Sequence, residues 1–93
     1  MDLGLKNRIA FITGASRGIG REIALAYAAE GVHLALFGRD DARCASVAKE
    51  VADSRGVRAY AVHLDFEQPD TIRSAVEQAI GKLGGVDILV NCA

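Results

Sequence analysis

Apolar positions along this chain alternate between two kinds of spacing. Arg8-Ile9-Ala10-Phe11-Ile12-Thr13 is a short, nearly unbroken run of strand length. Val32–Phe37, Val57–Leu64 and Val86–Asn91 repeat the pattern. Between these runs the spacing becomes helical. Ile23, Ala24, Tyr27 and Ala28 share one face of a segment from Ile19 to Glu30, and Gly31 follows it. Asp40 or Asp41 can cap a second helix that runs to about Ser54 and closes at Gly56. Pro69 suits the first turn of a third helix. Its apolar positions are Ile72, Val76, Ala79, Ile80 and Leu83, and Gly84-Gly85 breaks it.

The predicted order is β-α-β-α-β-α-β. Parallel strands need a long crossover, and each helix here supplies one. The fold class is therefore α/β, a Rossmann-type parallel sheet with expected strand order 3-2-1-4. Residues 1–93 form the first part of one domain, which is expected to be incomplete. Strand 4 would otherwise leave an apolar edge unpaired, a feature that soluble proteins avoid. On that reading the chain is the start of a longer protein, and in isolation it would associate through strand 4.

Composition narrows the classes of partner. Eleven basic and twelve acidic residues give a net charge of −1. That balance speaks against nucleic acid or a polybasic membrane contact. The apolar runs are too short to span a bilayer, and Met1–Lys6 lacks the apolar stretch of a signal peptide. Cys44 and Cys92 lie far apart in sequence and fit free thiols in a reducing cytoplasm. No Cys/His cluster has the spacing of a metal site.

Candidate chemistry begins where strand 1 meets helix 1, at Thr13-Gly14-Ala15-Ser16-Arg17-Gly18-Ile19-Gly20. One glycine permits the tight turn, and another lets backbone approach a phosphate. The helix start then offers unpaired N–H groups and a partial positive charge. Gly14, Gly18 and Gly20 are spaced G-x-x-x-G-x-G, unlike either G-x-G-x-x-G or a P-loop. Ser16 can donate to a phosphate or cap the helix. Taken alone, the glycines indicate an anion at a helix N-terminus.

The tip of strand 2 refines that anion. An acidic residue there would bond ribose hydroxyls and repel an added phosphate. The chain instead has Phe37-Gly38-Arg39. Arg39 offers a planar cationic fork, and Arg17 projects from the glycine turn. Together they suit the 2′-phosphate of NADP better than the free ribose of NAD. Asp40 is the opposing charge, and its place two residues later suits a helix cap.

These residues resemble the short-chain dehydrogenase/reductase family, in its ordinary rather than extended branch. Thr13, Gly14, Gly18, Ile19 and Gly20 match the family's T-G-x-x-x-G-I-G turn, and Asp65 in Leu64-Asp65-Phe66 matches its adenine-contacting aspartate. Asn91-Cys92-Ala93 resembles its N-N-A-G element, with Cys92 replacing the second asparagine. The resemblance implies that Gly14–Gly20 hold pyrophosphate and that Arg17 and Arg39 select NADP. It also implies that Asp65, with the Phe66 amide, holds adenine, while Asn91 steadies the strand tip beside the ribose.

The implied activity is hydride transfer between nicotinamide and a carbonyl or secondary alcohol, as in a 3-oxoacyl-carrier-protein reductase. Family catalysis uses a serine, a tyrosine and a lysine, with Tyr-x-x-x-Lys spacing. Neither Tyr27 nor Tyr60 has that spacing, so no catalytic residue is assigned here, and this segment alone should be inactive. His33 and His63 lie in predicted strands and are read as structural. The full-length protein is expected to be a homo-oligomer. The alternatives are a non-enzymatic, redox-sensing dinucleotide-binding module and an unliganded interaction domain.

Overall fold

A computed structural model of the chain describes residues 4–15 and 18–92. Its element order is β1 (Ile9–Thr13), α1 (Gly18–Ala29), β2 (His33–Gly38), α2 (Asp41–Arg55), β3 (Ala59–His63), α3 (Pro69–Leu83) and β4 (Ile88–Asn91). One parallel sheet runs β3-β2-β1-β4, the order expected from the sequence. Strand ends differ from the apolar runs by one or two residues. Val57 and Leu64 are buried, but only Ala59–His63 pairs as β3. Burial extends one or two residues past the paired positions, and Leu64 N still donates to Gly38 O at 3.0 Å.

Alternation along the strands divides the core into two layers. Ala10, Ile12, Leu34 and Leu36 face α1 and α2, where Ala24, Ala28, Val47, Ala48 and Val51 meet them. Phe11, Ala35, Phe37 and Val62 face α3 through Ala75, Ala79 and Leu83. Phe11 and Phe37 meet edge to face with centroids 5.2 Å apart. Small residues on the helices let them lie close to a sheet that carries the larger side chains. Ile80, expected in that layer, is 41% exposed instead. Ala79 takes the inward position and turns Ile80 to the rim.

The helix ends follow local chemistry. Asp40 is the N-cap of α2, and its Oδ1 accepts from Arg43 N at 3.0 Å. Pro69 occupies the first turn of α3. Gly31, Gly56 and Gly84 follow the three helices with φ of 82°, 69° and 93°. Arg21 of α1 reaches Glu50 of α2 through Nε at 3.1 Å, and a second N–H completes the fork. At the opposite end of the sheet, the Asp87 carboxylate accepts from Ile9 N at 2.9 Å, and Asp87 N donates back to Ile9 O at 2.8 Å.

The start of α1 packs closely against the residues that follow β1. A Cβ built on Gly20 would overlap the Gly14 carbonyl oxygen and lie 2.8 Å from Ala15 Cα. These are backbone atoms, so a larger residue must displace the turn itself. Gly18 has φ of 60° but open space around it, so a side chain there meets strain without collision. Gly20→Ala should therefore cost about 3 kcal/mol, the upper range for forced packing. Gly18→Ala should cost about 1 kcal/mol. Urea unfolding of the full-length variants measures the difference, and equal costs would contradict the close approach.

His33 gives the fold a pH dependence. Its Nδ1 accepts from Arg58 N at 3.0 Å, a bond that needs the neutral ring. Burial first, and the Arg58 charge second, hold its pKa below the ordinary histidine value. The unfolded chain then binds more protons than the folded one as pH falls through about 6.5. The contribution of His33 to stability is present above that pH and is lost on acidification toward the lower folded value. The urea midpoint should fall between pH 7.5 and 5.5, and His33→Asn should reduce that fall. An undiminished fall in the variant would assign the effect to other groups.

Candidate functional site

The parallel register brings the four strand tips to one end of the sheet. Thr13 lies level with Phe37 on one side and with Asn91 on the other, while Gly38 lies level with His63. A cleft of about 700 Å³ opens among the residues at the ends of β1, β2 and β3. Gly14, Arg39, Asp65 and Phe66, each expected from the sequence, line it together. Thr13, Phe37, Gly38, Asp40, Leu64 and Glu67 complete the wall.

Other expected residues stand apart from this cleft. Gly20 is buried behind the Gly14 turn. Gly18 and Ile19 border a shallower depression on α1 with Glu22, Ile23 and Ala26, and Ile19 is 76% exposed. Asn91 ends β4, where its Oδ1 accepts from the Thr13 hydroxyl at 2.7 Å. That bond fixes the amide of Asn91 across the β1–β4 boundary. Cys92 N continues the boundary by donating to Thr13 O at 3.1 Å. Ser16 and Arg17 lie outside the described residues.

Charges in the cleft are unequally committed. Asp40 is spent on the α2 cap and on Arg43, whose Nε lies 3.2 Å from its Oδ2. This is the capping role expected from its position. Asp65 Oδ1 accepts from Glu67 N at 2.9 Å. Among the described residues Arg39 has no ion-pair or hydrogen-bond partner, and it lies exposed on the cleft wall. Its guanidinium is the cationic group in this wall whose donors are unspent.

Gly38 shapes the floor beneath Arg39. A Cβ built there would come 2.8 Å from Cys44 Sγ. Cys44 is 1% exposed, held in α2 under the strand tip. Burial, then the charges of Asp40 and Asp41, push its pKa up, so the floor carries a neutral thiol. Glycine at 38 thus leaves room above the tip, and a carboxylate-bearing side chain there would have to displace Cys44. Sequence reasoning placed Gly38 at the strand tip but missed the thiol below it. Glu67 and Leu64 were missed as well. Their only sequence signal is nearness to Asp65, because the turn that follows β3 decides which of its residues face the cleft.

Among the described residues no group of His, Cys, Asp and Glu side chains could hold a metal ion. No helix among them is long and apolar enough to cross a membrane. An anion at the start of α1 and an elongated, half-apolar ligand along the tips are what this geometry can hold.

Comparison with known proteins gives a consistent result. The 3-oxoacyl-acyl-carrier-protein reductase FabG of Aquifex aeolicus is 36% identical over 93 residues, which is 100% of this chain and 38% of that protein. General stress protein 39 of Bacillus subtilis is 38% identical over 89 residues, covering 96% of this chain and 31% of the relative. The chain thus spans about a third of the length of these relatives. L-Sorbose reductase from Gluconobacter frateurii, solved with NADPH and L-sorbose, superposes with a TM-score of 0.94 at 40% identity. That match covers 100% of this chain and 35% of the reductase. The sequence profile of the short chain dehydrogenases matches residues 8–93, and with this fold and these strand tips the chain belongs to that family.

Proposed function

We propose that this chain is the cofactor-binding part of an NADP-dependent oxidoreductase. Its reaction moves hydride between the nicotinamide and a carbonyl or secondary alcohol, and its substrate class resembles that of a 3-oxoacyl-acyl-carrier-protein reductase. The observation that carries the cofactor choice is Arg39, a cation without a protein partner among the described residues, on the wall of a cleft floored by Gly38. A 2′-phosphate would satisfy its planar donors and its charge at once. No carboxylate replaces it at the tip, and Asp40 is paired with Arg43 at 3.2 Å.

The rest of the site fits the same cofactor. Close packing at Gly20 brings the turn backbone against the start of α1, where Gly14, Ser16, Gly18, Ile19 and Gly20 would hold pyrophosphate. Arg17 would join Arg39 at the 2′-phosphate. Asp65 would accept from the adenine amino group, and Phe66 would add its amide. Asn91, fixed by Thr13, would steady the strand tip beside the ribose. Bound in this way, the nicotinamide supplies or accepts the hydride. On this reading the proton-transferring residues, the substrate pocket and the surfaces of a homo-oligomer would be supplied from outside residues 1–93. A cytoplasmic location agrees with two free thiols, one of them buried.

Titrating the full-length protein with NADPH and NADH tests the reading. Arg39→Asp should weaken NADPH binding about 10- to 150-fold, corresponding to about 1.5–3 kcal/mol for a charge-assisted bond. NADH binding should change far less. Equal losses for the two cofactors would overturn the role of Arg39. A wild-type protein that binds no NADPH, or consumes none with ketones and 3-oxoacyl thioesters, would overturn the function.

A further inference from the structure

The turn after β3 is held together from an unusual direction. Leu64 N donates to Gly38 O at 3.0 Å and is the last amide bonded across to β2. Asp65 N, the next amide, donates instead to Thr71 Oγ1 at 3.0 Å. The Thr71 hydroxyl can return its single proton to Gln68 O at 2.8 Å or Asp65 O at 3.0 Å. Gln68 N donates to Asp65 O at 2.9 Å, closing a four-residue turn.

Gln68 is the N-cap of α3 but makes no side-chain capping bond. Fastening falls to Thr71, three residues inside the helix, which reaches back to the residue that leads into the turn. This is the return half of a capping box, aimed further upstream than usual. Inside the closed turn, Asp65 Oδ1 accepts from Glu67 N, which sets the plane of the carboxylate. Asp65 and Phe66 then face the cleft, with Phe66 52% exposed.

We infer that Thr71 is a positioning residue for base recognition: its hydroxyl ties the first turn of α3 to Asp65 and so aims the Asp65 carboxylate at the amino group of a purine. The inference rests on the reading of the cleft as an adenine dinucleotide site. Thr71 itself does not line the cleft. Removing its hydroxyl leaves Asp65 N without its partner and frees the turn to rotate the carboxylate away.

The test compares binding of NADPH with binding of its hypoxanthine analogue by the full-length protein. The analogue presents a carbonyl in place of the amino donor, and a correctly aimed carboxylate disfavours it. Wild type should prefer NADPH by about tenfold, the size of one hydrogen bond to a charged group. Thr71→Val should bring the two within about twofold, with the loss falling on NADPH. Thr71→Ser, which keeps the hydroxyl, should restore the preference. Thr71→Ala serves as a second hydroxyl-free variant if valine disturbs the helix. Faster hydrogen exchange at the Asp65 amide in the hydroxyl-free variants provides a ligand-independent readout.

A preference retained in folded Thr71→Val or Thr71→Ala overturns the inference, as does its loss in Thr71→Ser. Wild-type NADPH binding without base preference overturns the role of Asp65 and this inference together, but leaves the Arg39 reading intact. Absence of NADPH binding by wild type removes the site reading itself.

Discussion

The register of β1 is the constraint on which the site depends. β1 is the inner strand that pairs with β2 on one side and β4 on the other. Thr13 must therefore stop level with both Phe37 and Asn91. A parallel strand shifted by one residue would exchange its two faces. Ile12 would leave the α1–α2 layer and Phe11 the α3 layer, so burial on both sides penalises the slip. The same register sets where Gly14 begins the turn and where Gly38 and Arg39 leave β2. A site assembled from strand tips inherits its precision from the core beneath it. The core of small helix residues against large strand residues leaves few alternative packings.

Much of this arrangement is legible in the sequence, and the reasons are physical. Contiguous apolar runs betray strands covered on both faces, and the glycine and proline boundaries reflect φ restrictions that hold in any context. The strand order follows from helical crossovers, because few other sheets accommodate them. Arg39 and Asp65 could be singled out because strand tips in such a sheet border its crevice. Ile80 was misread because helical spacing defines a stripe, while the width of the buried stripe depends on the neighbour it meets. Ala75 and Ala79 bring α3 close to the sheet, and the buried stripe narrows to exclude Ile80.

What the sequence concealed is contact between distant positions. Nothing in the spacing of Gly38 and Cys44 announces that a thiol underlies the strand tip, since α2 must first dock to reveal it. The Thr13–Asn91 bond spans 78 positions and exists because two strands align. Thr71 reads locally as an ordinary residue in the first turn of a helix. Its importance to Asp65 depends on the path of a turn that propensity does not specify.

The distribution of charge completes the logic of the cleft. Two acids near it are already engaged: Asp40 by the α2 cap and Arg43, and Asp41 by His63 Nδ1 at 2.8 Å. Both contacts fasten the start of α2, and the first also sets the Arg43 charge beside the Asp40 carboxylate. Asp65 uses one oxygen for its own turn, which holds the carboxylate in place without neutralising it. Surface ion pairs of this kind contribute little to stability, typically under about 1 kcal/mol. Their larger consequence is selective. With Asp40 paired to Arg43, the Arg39 guanidinium on the cleft wall, without a partner among the described residues, favours an anionic group placed beside it.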